Sequence, residues 1–230
     1  MNLKVEEWDL SYRNRDNFVF YPHEEIIRFA AKYIAKRIGL NEVNIKTDGK
    51  VLDLGCGIGR HVIFFEKLGI DAYGIDLSKE AIEIASNWLE KENINPGDKL
   101  FHGSAENLPW SQNEFDFIVS HGVLGSMPLD IARNIVKECH RVIKSEGLFY
   151  CDLIGDDTKH GINFEEEIVI ETKHEKGTIQ SYFTLGKIQH LIKDLFEIKE
   201  INKIITQDVI TQNYYSRYHL ILKKIEGDNE

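Results

Sequence analysis

Two hydrophobic periods alternate between Gly49 and Leu153. Short runs dense in apolar residues, at 50–54, 72–75, 99–102, 115–120 and 147–153, read as buried strands. Between them apolar positions recur every three or four residues, the helical period. Residues 60–68 form one such segment. Ala81, Ile82, Ala85, Trp88 and Leu89 mark the buried stripe of a second, and Ile131, Ile135, Cys139 and Val142 mark a third over 129–142. Ser78 is placed to cap the second helix, with Glu80 in its first turn, where negative charge is favoured. Asn95-Pro-Gly97 is a turn. Strand–helix alternation of this kind predicts a mostly parallel sheet covered on both faces.

The two ends read differently. Residues 23–38 predict a helix with Ile26, Ile27, Ala30, Ile34 and Ile38 on one face and Gly39 as its stop. Residues 187–195 read as a final helix. Residues 198–205 and 216–223 are two strands with no helix between them, which predicts an antiparallel hairpin at a sheet edge. The charge-rich stretch 155–184 reads as either a strand pair or a lid.

The first strand runs into Gly55-Cys-Gly57-Ile-Gly59 and then into a helix. Glycines allow the backbone to approach a ligand closely, and the helix start offers free N–H groups. Asp76 closes the second strand about 20 residues on, where a carboxylate can accept from both hydroxyls of a ribose. A dinucleotide fingerprint would require glycine where this chain has Arg60, so a nicotinamide oxidoreductase is disfavoured.

Asp53-Leu-Gly-Cys-Gly-Ile-Gly59 resembles the first motif of the class I S-adenosylmethionine-dependent methyltransferases. Gly74-Ile-Asp76 resembles the second, Gly103-Ser-Ala-Glu-Asn-Leu-Pro109 the third, and Phe115-Asp-Phe-Ile-Val-Ser-His121 the fourth strand. The resemblance covers residues 45–155. It implies an α/β, Rossmann-like three-layer sandwich with a mostly parallel seven-stranded sheet and an antiparallel edge strand. It also implies S-adenosyl-L-methionine as cofactor and S-adenosyl-L-homocysteine as product. On this resemblance Asp53, Gly55, Cys56, Gly57 and Gly59 serve the methionine part. Asp76 serves the ribose, Leu77 after it belongs to the cofactor-binding set, and Ser104, Ala105 and Glu106 border the adenine. Ser104 departs from the family, which often has an acid there. Lys144-Ser-Glu-Gly147 likewise departs from the usual Lys-Pro-Gly-Gly turn. The implied organisation is a single domain: 1–45 an N-terminal helical lid or cap, 46–155 the cofactor core, 156–186 a substrate cap, and 187–230 a helix with edge strands.

Methyl transfer from a sulfonium is an in-line displacement for which proximity and alignment supply much of the acceleration. An oxygen nucleophile also needs a base. His121, just past the fourth strand, is the first candidate for that base and also a candidate cofactor neighbour. Asp152, at the end of the fifth strand, is the second candidate. Packing beside the cofactor remains open to His121, and capping a loop to Asp152. Arg60 and His61 open the helix after the glycines, placed either to touch ligand or to serve as ordinary helix residues. Trp8, Tyr12 and Tyr21 either close over the cofactor or anchor the N-terminal segment. Tyr182, Phe183, Tyr214 and Tyr215 either shape an acceptor pocket or pack the edge.

Length and charge narrow the acceptor. The chain has 230 residues, enough for one substantial core, and carries a net charge of −10. Such a chain repels polyphosphate unless basic residues cluster locally, and it has no long Lys/Arg run, so a small polar acceptor is favoured over nucleic acid. RNA or protein as acceptor is the first rival, and a silent S-adenosylmethionine-binding module the second. Three cysteines without CxxC spacing, Cys56, Cys139 and Cys151, point to neither a disulfide framework nor a zinc site, and no metal is expected. No run approaches the ~20 apolar residues of a membrane span. The N-terminus lacks a basic region followed by an apolar one, which points to the cytoplasm.

Overall fold

The structure, a computed structural model, describes residues 4–47, 49–155, 168–169 and 177–226. In chain order the elements are α1 (Val5–Arg13), α2 (Glu24–Tyr33), β1 (Ala35–Arg37), β2 (Val43–Ile45), β3 (Val51–Leu54), α3 (Arg60–Lys67), β4 (Ala72–Asp76) and α4 (Lys79–Lys91). They continue with β5 (Leu100–His102), β6 (Phe115–Ser120), α5 (Leu129–Val142), β7 (Ile143–Ile154), β8 (Ile168–Val169), β9 (Ile179–Gln180), α6 (Leu185–Ile192), β10 (Phe196–Gln207) and β11 (Tyr214–Lys224).

Seven strands form the main sheet in the order β10-β11-β7-β6-β3-β4-β5. The five from β7 to β5 are parallel. β11 runs antiparallel to β7 and β10 antiparallel to β11. Strand order reverses between β3 and β6, so their carboxyl ends open a crevice there, where α/β sheets take their ligands. Side chains alternate between two apolar layers, as the strand period of two requires. Leu52, Ile118 and Phe149 pack under α5 and α6, with Ile135 and Leu191. Val51, Val119 and Tyr150 pack under α2 and α3, with Phe29 and Phe65. The result is the expected three-layer sandwich with its antiparallel edge. Among the described residues no helix is long and apolar enough to cross a membrane.

The predicted helix over 23–38 is shorter than its apolar stripe suggested. Ile26, Ala30 and Ile34 are buried, but Ile27 is 41% and Ile38 55% exposed. The Ile34 carbonyl accepts the Lys46 N–H at 2.8 Å, and the chain passes from α2 into the β1–β2 ribbon instead of continuing as helix. Helix α1 lies within the expected helical lid, but no apolar stripe marks its place, and Ser11 is its only buried residue. Polar contacts hold it on α4: the Ser78 hydroxyl donates to Asp9 at 2.5 Å, and Arg13 pairs with Glu80 at 2.8 Å. Of the stretch 155–184, β8 and β9 form a short antiparallel pair. Residues 156–167 and 170–176, the bulk of the expected substrate cap, lie outside the described residues.

Gly74 in β4 shows how closely the glycine loop is packed onto the sheet. A Cβ there would meet Cys56 Sγ at 2.7 Å, Cys56 Cβ at 2.8 Å and Val62 Cγ2 at 3.0 Å. All of these neighbours are buried, so none can swing into solvent. Gly74→Ala is therefore expected to destabilise the fold by about 1–3 kcal/mol. Thermal unfolding would register this as roughly 2–4 °C per kcal/mol; an unchanged Tm would show that the loop yields freely.

Candidate active site

Gly57 and Gly59 sit at φ +52° and +84°, the left-handed region that glycine enters without strain. This conformation turns the chain from β3 into α3. It also aims the Gly57 N–H at Asp76 Oδ2, 2.8 Å away, while the Ser78 N–H reaches Asp76 Oδ1 at 2.8 Å. Each Asp76 oxygen accepts one backbone bond and keeps lone-pair capacity for a ligand. Burial raises the Asp76 carboxyl to about 6, against the lowering effect of the Ser78 and Gly57 N–H groups.

A cavity of about 310 Å³ opens over this loop. Its wall includes Gly55, Cys56, Gly57, Asp76, Leu77, Ser104, Ala105 and His121, together with Trp8 and Tyr12 from α1. The Tyr12 hydroxyl stands over Gly57, 2.7 Å from where a Cβ would project. At Gly122, Ser126, Ile179 and Arg217 the cavity adjoins a second chamber of about 240 Å³, which reaches Asp152, Gln180 and Tyr215.

Several expected ligand residues lie elsewhere. Tyr21 is 83% exposed and outside the cavity wall; its carbonyl instead accepts from Arg60 at 3.3 Å. Glu106 is also outside the wall, and its side chain accepts from Asn134 at 3.3 Å. Gly59 faces Ala85 and Leu89 of α4. Asp53 lies beneath the loop, 1% exposed. Of the edge aromatics, Tyr215 reaches the second chamber while Phe183 is buried in the core.

The carboxyl ends of β6 and β7 bring His121 and Asp152 together. His121 Nδ1 lies 2.8 Å from Asp152 Oδ2, although the ring N–H is poorly aligned for a full hydrogen bond. Asp152 has no exposed side-chain surface. Its Oδ1 accepts the Gly122 N–H at 2.7 Å, and its Oδ2 also pairs with Arg217 Nη1. Burial alone would raise this carboxyl, but His121, Arg217 and the Gly122 N–H outweigh it and hold Asp152 well below the usual carboxylate range. Asp152 is thus an anion that orients its neighbours. With Nδ1 turned toward Asp152, Nε2 is the His121 nitrogen left for a reacting group.

Three further histidines surround this pair. The His23 ring stacks on His121 with centroids 3.9 Å apart, and His61 meets His121 edge-on at 6.3 Å. His219 lies 5.9 Å from His23 and is 2.9 Å from the Tyr150 hydroxyl. Backbone donors fix two tautomers. The Glu25 N–H reaches His23 Nδ1 at 3.3 Å, so a neutral His23 carries its proton on Nε2. The His23 N–H reaches His61 Nε2 at 3.3 Å, so His61 carries its proton on Nδ1, facing Asp53 Oδ1 at 3.3 Å. Burial lowers His23 to about 4, helped by His121. Among the described residues no group of His, Cys, Asp and Glu is arranged to hold a metal ion. Sequence reasoning missed His23 and Arg217: they come from distant segments, and no local motif joins either to residues 121 and 152.

A family model described as a methyltransferase domain matches residues 52–151. The demethylmenaquinone methyltransferase of Staphylococcus saprophyticus is 32% identical over 130 residues, 55% of this chain and 53% of that protein. Over those residues the chain is similar to methyltransferase domains. The probable S-adenosyl-L-methionine-dependent methyltransferase TehB of Haemophilus influenzae is 36% identical over 38% of this chain and 30% of its own length. The chain thus spans about half or less of the length of these curated relatives. Among solved structures, a SAM-dependent methyltransferase of Methanosarcina mazei aligns with TM-score 0.67 at 24% identity, covering 80% of this chain and 95% of that one. One from Anabaena variabilis aligns with TM-score 0.64 at 17% identity, covering 98% and 96%. These two establish the shared fold.

The cofactor that this resemblance implies suits the residues present. Asp53 Oδ2 is buried without a hydrogen-bond partner, an orphaned carboxylate oxygen matched by an ammonium group such as that of a methionine. Asp76 offers the acceptors that a ribose requires. Ser104 and Ala105 also belong to the wall, where an adenine base can lie against them.

Proposed function

We propose that this methyltransferase transfers the methyl group of S-adenosyl-L-methionine to an oxygen of a small polar acceptor, with His121 as general base. The observation that carries this reading is the His121–Asp152 contact at the cavity wall. The bound cofactor supplies an electrophilic methyl group. His121 Nε2 takes the acceptor hydroxyl proton as the oxygen attacks, and Asp152 stabilises the imidazolium that results. Arg217 and the Gly122 N–H hold Asp152 in place. In the cofactor site, Asp76 takes the ribose hydroxyls with Leu77 beside it, Asp53 orients the ammonium from beneath the loop, directly or through a water, and Ser104 and Ala105 take the adenine end. Tyr12 and Trp8 cover the loop and exclude water. In this reading residues 1–45 form the lid, 46–155 the cofactor core, and 156–186 with the final hairpin the acceptor side.

A small acceptor is supported by the charge of −10 and by the second chamber's size. It is supported too by the relative whose name specifies demethylmenaquinone, a small molecule. The test uses cofactor labelled in its methyl group, incubated with the protein and a cell extract that is then separated by size. Label in the small-molecule fraction is the expected result. Label in RNA or protein would overturn the acceptor class, and binding without transfer would favour a silent module.

The raised Asp76 carboxyl gives cofactor binding a pH dependence. Below about 6 the unliganded group holds a proton, and accepting two hydroxyl bonds requires its release. Affinity for S-adenosylhomocysteine is therefore expected to be about tenfold weaker at pH 5 than at pH 8, levelling off above 7. Calorimetric titration across that range checks it. Asp76→Asn should bind more weakly and flatten the profile; a flat wild-type profile would remove Asp76 from the ribose site.

A further inference from the structure

His121 is not held by hydrogen bonding alone. Its Nδ1 lies 2.8 Å from Asp152 Oδ2 but the N–H is poorly aligned, so this contact fixes the ring's distance better than its tilt. The ring face meets His23. The two imidazoles lie at an interplanar angle of 28° with centroids 3.9 Å apart, the shortest ring separation among the described residues. His61 closes one edge at 86° and 6.3 Å. His23 is half-buried and is not part of the cavity wall that includes His121. It can act on a reacting group only through its neighbour.

The N-terminal segment delivers His23, and two of its backbone groups bond the start of α3. The His23 N–H donates to His61 Nε2 at 3.3 Å, and the Tyr21 carbonyl accepts from Arg60 Nη1 at 3.3 Å. Phe20 adds an edge contact with Trp88 of α4, centroids 4.9 Å apart. The His23 side chain also caps α2, where its Nδ1 accepts the Glu25 N–H at 3.3 Å. Cap and stack use different parts of the residue, one a nitrogen lone pair and the other a ring face, so substitution can separate them. His23 is neutral at pH 7, because burial lowers it to about 4, with His121, His219 and Arg60 acting in the same sense and Asp152 against them. When His121 takes a proton, the ring against it therefore carries no opposing charge.

We propose that His23 is a positioning residue for methyl transfer: its ring, brought in by the N-terminal segment, lies flat on His121 and holds Nε2 toward the acceptor. This rests on the reading of His121 as general base. Misplacing a reacting group by about 1 Å costs on the order of 10²-fold in rate, so a stacking partner without substrate contact carries a large share of the alignment.

Two substitutions divide the residue. His23→Asn keeps an N-cap acceptor and removes the ring; His23→Phe keeps a flat ring and removes the acceptor. Transfer of labelled methyl from S-adenosyl-L-methionine into the extract is measured at saturating cofactor, alongside Tm and calorimetric affinity for S-adenosylhomocysteine. His23→Asn is expected to lower transfer by about 10- to 100-fold with Tm and affinity unchanged, since the backbone bond to His61 survives. His23→Phe is expected to recover most of that rate while Tm falls by roughly 2–4 °C for the lost cap. Proton NMR of the S-adenosylhomocysteine-loaded protein gives a readout independent of turnover. The ring-current shift of the His121 Hε1 signal, identified by its absence in His121→Ala, should disappear in His23→Asn and persist in His23→Phe. Transfer that follows Tm, slow in His23→Phe and normal in His23→Asn, would make His23 a cap alone and overturn the proposal. So would wild-type rates in both, equal loss in both, or an unmoved His121 signal in His23→Asn. A wild-type rate in His121→Ala would instead overturn the base reading, and the proposal with it.

Discussion

His121→Ala is expected to lower methyl transfer by about 10²–10⁴-fold, the range a positioned general base contributes, while S-adenosylhomocysteine affinity stays within about twofold. The separation follows from where the residue sits. Its ring lies against the His23 ring and the Asp152 carboxylate. No described contact ties it to the glycine loop. The substitution deletes the Nε2 acceptor and leaves the Asp76 bonds to Gly57 and Ser78 intact. Transfer of labelled methyl into the receiving extract fraction measures the first effect, and calorimetry the second. Unchanged transfer would eliminate His121 as base and point to an acceptor that needs none, such as a thiolate or neutral amine. Loss of cofactor affinity in parallel would make His121 a cofactor contact instead.

The fold was legible wherever burial on one face imposed a period. The five central strands and the helices over 60–68 and 129–142 all followed from apolar spacing. Legibility failed where polar contacts replaced it. Helix α1 is held by Asp9, Arg13 and Tyr12, residues with no common periodicity. Helix α2 stopped early because the Ile34 carbonyl found a sheet partner at Lys46, a choice set by tertiary pairing. The same division runs through the site. Glycines and acids at fixed spacing could be read locally, since one turn and one strand end place them all. Tyr21 and Glu106 were placed by sequence proximity alone, which does not fix where a side chain points. His23 and Arg217 belong to α2's cap and to β11, and only the folded sheet brings them to His121 and Asp152.

Asp152 supports a prediction about stability that is separable from catalysis. Its side chain has no solvent exposure, and Arg217, 18% exposed, pairs with the same oxygen that faces His121. Removing one member of such a pair leaves the other charge without compensation in a poor solvent, at a cost of about 3–5 kcal/mol. Arg217 keeps some water, so the lower end is expected. Asp152→Asn, which preserves shape and the acceptor for the Gly122 N–H, should therefore destabilise the fold by about 3 kcal/mol and lower Tm by roughly 6–12 °C. Arg217→Met alone should act in the same direction. The double variant should recover part of the sum, because neither charge is then stranded. The sign with pH follows from the depressed carboxyl. A group held below its unfolded value stabilises the fold above that value, so the contribution is complete at neutral pH and fades only in acid. His121→Ala removes a ring but strands no charge, so its Tm should move far less than that of Asp152→Asn. Thermal unfolding of the four variants at pH 7 decides the matter. Additive losses in the double variant would mean that Asp152 and Arg217 act independently. The orienting carboxylate would then owe its position to Gly122 and His121 alone.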